Sequence, residues 1–128
     1  MRQTRQSLSF TESGQATVEL AFIFPIILLL GAALFQFGLI VVNQLAVWDA
    51  ARSAARAAAV STDPQVAERA ANDAVSLRPL KVTVTTIDDV VSAHVVYVEQ
   101  TSLPLIGLFF PAVTLEASVA MLNENPLP

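Results

Sequence analysis

Hydrophobic positions along the chain are concentrated first in one uninterrupted run. From Leu20 to Trp48 there is no charged residue, and nearly every position is apolar. A helix needs about 20 consecutive apolar residues to cross the hydrocarbon of a bilayer, whereas a core helix has no need of such a run. We therefore predict a transmembrane helix over residues 15–42. The polar residues 1–14 that precede it are expected to form a cytoplasmic leader.

The pattern changes after Val42 without any signal that the helix stops. Asn43, Gln44 and Trp48 are residue types found at the membrane–water interface. Residues 43–60 are rich in alanine, which is the best helix former. We expect the span to continue here as one helix outside the membrane. The alanine face is expected to pack on the protein's own sheet rather than on a partner, since small side chains allow close approach.

Residues 61–128 are expected to form a small extracytoplasmic domain. Asp63 followed by Pro64 is typical of a helix start. A second helix is predicted from there to Leu77. One apolar face of this helix includes Val66, Ala70, Ala74 and Leu77. Alternation of apolar and polar residues then predicts three strands, at residues 81–87, 90–99 and 113–121. A turn at Asp88–Asp89 is predicted to join the first two strands.

The predicted fold class is α+β. A long N-terminal helix has a transmembrane half and an exposed half, and the exposed half carries a short second helix and a three-stranded antiparallel sheet. The sequence does not decide the role of the apolar stretch at residues 103–110. It could cover the long helix, form an exposed patch for a partner, or add a fourth strand.

Composition and charge exclude several classes of function. The net charge is −4 with only 14% charged residues, and the lysines and arginines are scattered, so a nucleic-acid interface is not expected. The absence of cysteine excludes disulfides and thiolate metal sites. His94 is the single histidine, and an ordinary strand histidine is preferred to a metal ligand. We expect no metal, no cofactor, no small-molecule substrate and no enzyme activity.

The residues at the entrance of the span form the candidate site. Glu19 is a carboxylate at the mouth of a membrane helix, where it is costly and requires a partner. A cut after Gly14 would give Gln15 a new N-terminal amine. Glu19 of one subunit could then pair with that amine in a neighbour and set the register between helices. Two simpler interpretations stand beside this one: Glu19 as an interfacial carboxylate at a helix start, and Gly14 as a flexible residue.

This arrangement resembles the processing site of a type IV prepilin, and the longer stretch is similar to the TadE-like family of minor pilins or pseudopilins from tight-adherence (Tad/Flp) pilus systems. The matching residues are Gly14, Gln15, Ala16, Val18, Glu19, Pro25, Gln36, Gly38, Leu39, Ala50, Ala51, Arg52, Ala55 and Arg56. The resemblance implies cleavage by a prepilin peptidase, retention in the membrane, and assembly with other pilins, pseudopilins and Tad platform components. Leu20 departs from the tyrosine that major Flp pilins carry after the glutamate, which favours a minor component.

Two further features concern the long helix. Pro25 removes a backbone donor inside the span and predicts a bend there. Asp49, Arg52 and Arg56 are spaced three and four residues apart and therefore share a helix face. We interpret that face as solvated with one weak ion pair, and a helix-packing or partner-docking role is the alternative.

The leading hypothesis is therefore a pilin-like structural protein, processed after Gly14. Arg2 and Arg5 precede the span and favour a cytoplasmic N-terminus in the inner membrane, with the C-terminal domain outside; a processed subunit would also reach the pilus. The alternative is an unprocessed single-pass membrane protein whose domain binds a ligand or partner. A membrane-anchored enzyme ranks third, because no convergent set of polar residues suggests a catalytic site.

Overall fold

The computed structural model describes residues 10–100, 107 and 112–124. Its elements are, in chain order, α1 (Phe10–Val60), α2 (Pro64–Ala74), β1 (Leu80–Ile87), β2 (Val90–Gln100) and β3 (Ala112–Leu122). The predicted α+β class, with its long helix, short helix and three-stranded antiparallel sheet, is confirmed for this part of the chain. The first nine residues of the predicted leader, residues 125–128 and, apart from Gly107, the apolar stretch at 103–110 lie outside the described residues.

Helix α1 begins earlier than predicted. It starts at Phe10 instead of residue 15, so the second part of the expected leader is helical. The sequence contains a signal for this start, because Ser9 and Glu12 have the spacing of a capping box. Gly14 does not interrupt the helix, since one glycine costs only about 1 kcal/mol relative to alanine.

The chain divides into two compact units, residues 1–35 and 36–128. In the first, every described side chain except the half-buried Ala32 is exposed from residue 14 onward. In the second, α1 contributes a stripe of buried positions that begins at Gln36, before the predicted domain boundary at residue 43. That boundary, like the division into transmembrane and exported segments, stays a prediction.

The sheet has the order β1-β2-β3, and both pairings are antiparallel. No strand end differs from its predicted position by more than one residue. Asp88 and Asp89 form the turn, as predicted, and Asp88 adopts a φ of 52°, a left-handed conformation that aspartate tolerates better than most residues. The face turned toward the core carries Val91, Ala93 and Val95 on the central strand, all nearly or fully buried.

The core of residues 36–128 lies between this sheet face and the alanines of α1. Ala50, Ala51, Ala54 and Ala55 are fully buried and join one hydrophobic cluster with the central strand, Leu115 and Ala117. The expectation that the alanine face packs on the protein's own sheet is confirmed. Alanine makes this possible because its side chain adds little thickness between helix backbone and sheet.

Helix α2 confirms its predicted start and corrects its predicted end. The Asp63 carboxylate accepts a hydrogen bond from the Gln65 amide at 2.9 Å, which is the expected N-cap. The helix ends at Ala74 rather than Leu77, and the Arg78 guanidinium donates to backbone carbonyls beyond that point. The expected apolar face is also displaced, because the buried residues are Ala67 and Ala71 and the predicted Ala74 is exposed.

Candidate assembly surface of the long helix

The predicted processing site lies within α1 and is open to solvent. Gly14 and Gln15 are both exposed and both helical. A Cβ built on Gly14 meets nothing within 4 Å, and the residue has no positive φ. The fold therefore has no requirement for glycine here, so any requirement would come from a molecule that recognises this site.

Glu19 stands one helical turn beyond Gln15. Residues four apart on a helix share one face, with an axial rise of about 6 Å. Glu19 is exposed, and it pairs with no cation among the described residues. The geometry leaves its carboxylate available to a neighbouring molecule, while its register-setting role stays a prediction.

The apolar segment after Glu19 is exposed on all sides. None of its most apolar 18-residue window is buried inside the molecule, and α1 is long and apolar enough to cross a membrane. Phe22, the most exposed of its large side chains, has 72% of its surface in contact with solvent. Residues 14–35 at 1.5 Å per residue extend about 33 Å, close to the bilayer's hydrocarbon thickness of about 30 Å.

Pro25 lies inside this segment, and α1 continues through it. Because proline has no amide hydrogen, the Ala21 carbonyl one turn earlier loses its usual helical donor. Transmembrane helices tolerate such a carbonyl when a neighbouring helix or side chain supplies a donor. The bend expected at this position stays a prediction.

The three charged residues of the second half of α1 do not act as one group. Arg52 Nη1 lies 3.7 Å from Asp49 Oδ1, and both side chains are more than half exposed; this confirms the weak ion pair on a solvated face. The pair borders a shallow depression with Leu45 and Trp48. Arg56 instead lines a second depression beside Val60.

The structure also shows polar contacts between α1 and the sheet that sequence reasoning missed. Asn43 Nδ2 donates to Glu99 Oε2 at 2.7 Å, and Gln44 Nε2 donates to the Glu116 carbonyl at 2.9 Å. Burial raises the pKa of the Tyr97 hydroxyl, and its hydrogen bond to the negatively charged Glu99 raises it further. Asn43 and Gln44, two of the three residues interpreted as interface markers, thus fix the helix to its domain.

The described residues offer no candidate metal centre. They contain no cluster of three or more histidine, aspartate or glutamate side chains that could hold a metal ion. His94 Nε2 lies 3.8 Å from Glu116 Oε2 on an exposed part of the sheet. This arrangement is that of a surface histidine with a carboxylate neighbour.

Comparison with protein families gives a match to the family described as TadE-like protein, over residues 14–56. The match confirms the resemblance drawn from the sequence and covers the predicted cut, the predicted span, Asp49, Arg52 and Arg56. Comparison with curated proteins and with solved structures gives no significant match.

Proposed function

We propose that this chain is a minor pilin or pseudopilin of a Tad/Flp pilus system, cut after Gly14 by a prepilin peptidase. The observation that carries the proposal is the TadE-like segment itself, an exposed apolar helix with one carboxylate at its entrance. Exposure of such an apolar surface to water is unfavourable. The segment therefore lies first in lipid and, after assembly, among other helices. The function is mechanical rather than catalytic.

Before cleavage, the segment anchors the subunit in the inner membrane with its N-terminus in the cytoplasm and residues 61–128 outside. Cleavage removes both leader arginines and creates the Gln15 amine. Because Gln15 and Glu19 lie one turn apart on one face, pairing between parallel neighbours fixes an axial offset of about 6 Å. The ion pair then specifies register more than it adds stability.

One observation favours the second function, an unprocessed single-pass protein whose outer domain binds a ligand or partner. The Gly14–Gln15 bond lies inside a helix that starts at Phe10. A peptide bond in a helix is a poor fit for a protease site, which takes extended backbone. Processing therefore requires local unwinding over residues 10–15, and Gly14 lowers the cost of that unwinding.

The N-terminus of the mature protein distinguishes the two functions. In cells with an active prepilin peptidase, mass spectrometry should find a chain that starts at Gln15. Gly14→Ala should block the cut without disturbing the fold, because a methyl group there meets nothing. Gly31→Ala is the matched control, since its added Cβ also meets nothing. A mature wild-type chain that retains residues before Gln15 would favour the unprocessed protein.

The register role of Glu19 needs a separate test. Glu19→Gln keeps the shape of the side chain and removes its charge, and we expect it to reduce assembly of the processed subunit. Glu68→Gln on α2 is the control, because it removes another exposed charge outside the span. Pilus formation and processing are measured together, so that a loss of assembly with normal cleavage points to register. Unchanged assembly in the Glu19 variant would remove the ion pair from the proposal.

A further inference from the structure

The sheet carries an exposed apolar row at the end where α1 terminates. Ile87 pairs with Val90, and Val90 pairs with Leu122, so the three side chains lie side by side on three strands. Their exposed fractions are 67%, 40% and 72%, respectively. The neighbouring Val91 faces the core, which places this terminal row on the opposite face of the sheet.

The terminal row is held in place by backbone contacts. The Asn123 amide donates to the Asp89 carbonyl at 2.7 Å, and the Glu124 amide donates to the Ala59 carbonyl at 2.9 Å. These bonds tie the end of β3 to both the hairpin turn and the last turn of α1. A surface that is already ordered loses less conformational entropy when a partner binds.

Leu122 also connects the row to a shallow depression beside α1. The depression includes Val60, Arg56 and Glu124, and Val60 is 58% exposed. The apolar surface therefore continues from the sheet to the end of the helix. A contiguous apolar patch with a polar border is typical of a protein interaction site.

The border of the terminal row is acidic. Asp88 and Asp89 stand between Ile87 and Val90, and Glu124 follows Leu122 by two residues. Arg56 is the one cation that lines the depression. Charge complementarity across an interface steers association and selects partners, so the fitting partner carries basic residues around an apolar centre.

A second copy of the chain does not fit this description. A symmetric contact through the same patch would bring the acidic borders together, which is unfavourable. A head-to-tail contact needs a basic surface elsewhere. Among the described cations, Arg52 is paired with Asp49 and Arg78 is bonded to three backbone carbonyls. The others lie on separate elements: Arg56, Arg69 and Lys81.

We propose that the terminal row and its acidic border form a docking surface for a different protein, one that presents aliphatic side chains bordered by lysine or arginine. The surface is separate from the TadE-like segment at residues 14–56, except for Arg56 at its border. The proposal does not depend on cleavage after Gly14. An unprocessed protein would use the same surface.

Site-specific photocross-linking of the full chain in its native cells tests the proposal. A photoreactive amino acid replaces Leu122 in one variant and Val98 in the control. Val98 is 45% exposed and lies on the same sheet face at the opposite end. We expect a cross-link to a different protein from position 122 and none from position 98. Sequencing of the cross-linked peptide should show aliphatic residues next to lysine or arginine.

The charge requirement is tested in the same cross-linking background. The triple variant Asp88→Asn, Asp89→Asn, Glu124→Gln keeps side-chain shape and removes three charges, and asparagine tolerates the left-handed conformation at position 88. We expect the cross-link yield to fall about fivefold. The α2 variant Glu68→Gln, Asp73→Asn should leave the yield unchanged.

Four results would overturn the proposal. They are a cross-link to a second copy, a cross-link to residues 125–128 of the same chain, equal yields from positions 122 and 98, and an unchanged yield in the triple variant. The first two would assign the terminal row to self-association or to the chain's own tail. The last two would show that neither the row nor its border selects a partner.

Discussion

The two halves of α1 are both apolar and both helical, yet they bury their surfaces in opposite ways. Residues 14–35 expose large aliphatic and aromatic side chains in every direction. From Gln36 to Val60, a stripe of small residues is buried against the sheet and the other face is open. Side-chain size explains the difference. Alanine lets a sheet approach the helix backbone, whereas a helix covered with leucine and phenylalanine needs lipid or other helices around it.

The strongest test of this comparison places charge in each half. The double variant Leu28→Arg, Leu29→Arg should disfavour membrane insertion by about 6 kcal/mol, since each leucine-to-arginine change at the centre of a span costs about 3 kcal/mol. The matched variant Leu45→Arg, Trp48→Arg changes two exposed residues of the second half and should insert normally. An in vitro translocon assay measures both. Equal loss of insertion would mean that the membrane segment extends beyond residue 42.

The second test enlarges one alanine in each half. Ala54 is fully buried, so Ala54→Leu overpacks the helix–sheet contact and should lower the free energy of unfolding by about 1–3 kcal/mol. Ala33 is exposed, and Ala33→Leu should have no such effect. Trp48 is the single tryptophan, and its fluorescence during urea unfolding of the full chain in detergent reports on the domain. Equal stability of the two variants would contradict a packing role for the alanine stripe.

Local signals in the sequence were sufficient for most of this architecture. Alternation along the strands and the Asp63-Pro64 pair predicted β1, β2, β3 and the start of α2, because each pattern is contained within a few residues. The end of α2 was predicted wrongly, because the helix stops at Ala74. Arg78 bonds there to the carbonyls of Asn72 and Val75, and only the folded chain reveals these contacts. The predicted start of α1 was also wrong, although the sequence contains the capping-box spacing of Ser9 and Glu12.

Some features of the candidate site could likewise be predicted from local sequence, and others could not. The alanine face follows from composition, and the structure confirms that it is buried. The span also follows from composition, and its bounds stay a prediction. The contacts of Asn43 and Gln44 with the sheet were missed because their partners lie 56 and 72 residues away in sequence. The exposed terminal row was missed for the same reason, since strand register brings Ile87 and Leu122 to either side of Val90.

The third test removes one of these long-range contacts. Asn43→Ala leaves the half-buried Glu99 carboxylate without its amide donor, and we expect a loss of about 1 kcal/mol in unfolding free energy. Gln44→Ala removes a more exposed hydrogen bond to a backbone carbonyl and should cost less. The same Trp48 fluorescence titration compares them. A larger loss for the Gln44 variant would show that the backbone contact, not the carboxylate, holds the helix to the sheet.

The smallest expected effect is a pH dependence that is confined to the second half of α1 and the sheet it contacts. Burial and Glu99 raise the pKa of Tyr97 above its ordinary value of about 10. The folded state therefore holds the phenolic proton more tightly than the unfolded state, so this stabilisation is complete below about pH 10 and is lost as the pH rises through the folded pKa. Tyr97 is the single tyrosine, so tyrosinate absorbance follows its ionisation directly.

Glu99→Gln removes the negative charge beside that hydroxyl and should move the tyrosinate titration to lower pH, toward the value set by burial alone. The controls are Glu116→Gln, which neutralises an exposed carboxylate on the opposite face of the sheet, and substitutions at Leu28, which lies in the other half of α1. Neither should move the titration. If the pKa of Tyr97 in the wild type equals the ordinary tyrosine value, the hydroxyl is fully solvated. The contact between Asn43 and Glu99 would then hold the helix without any contribution from Tyr97.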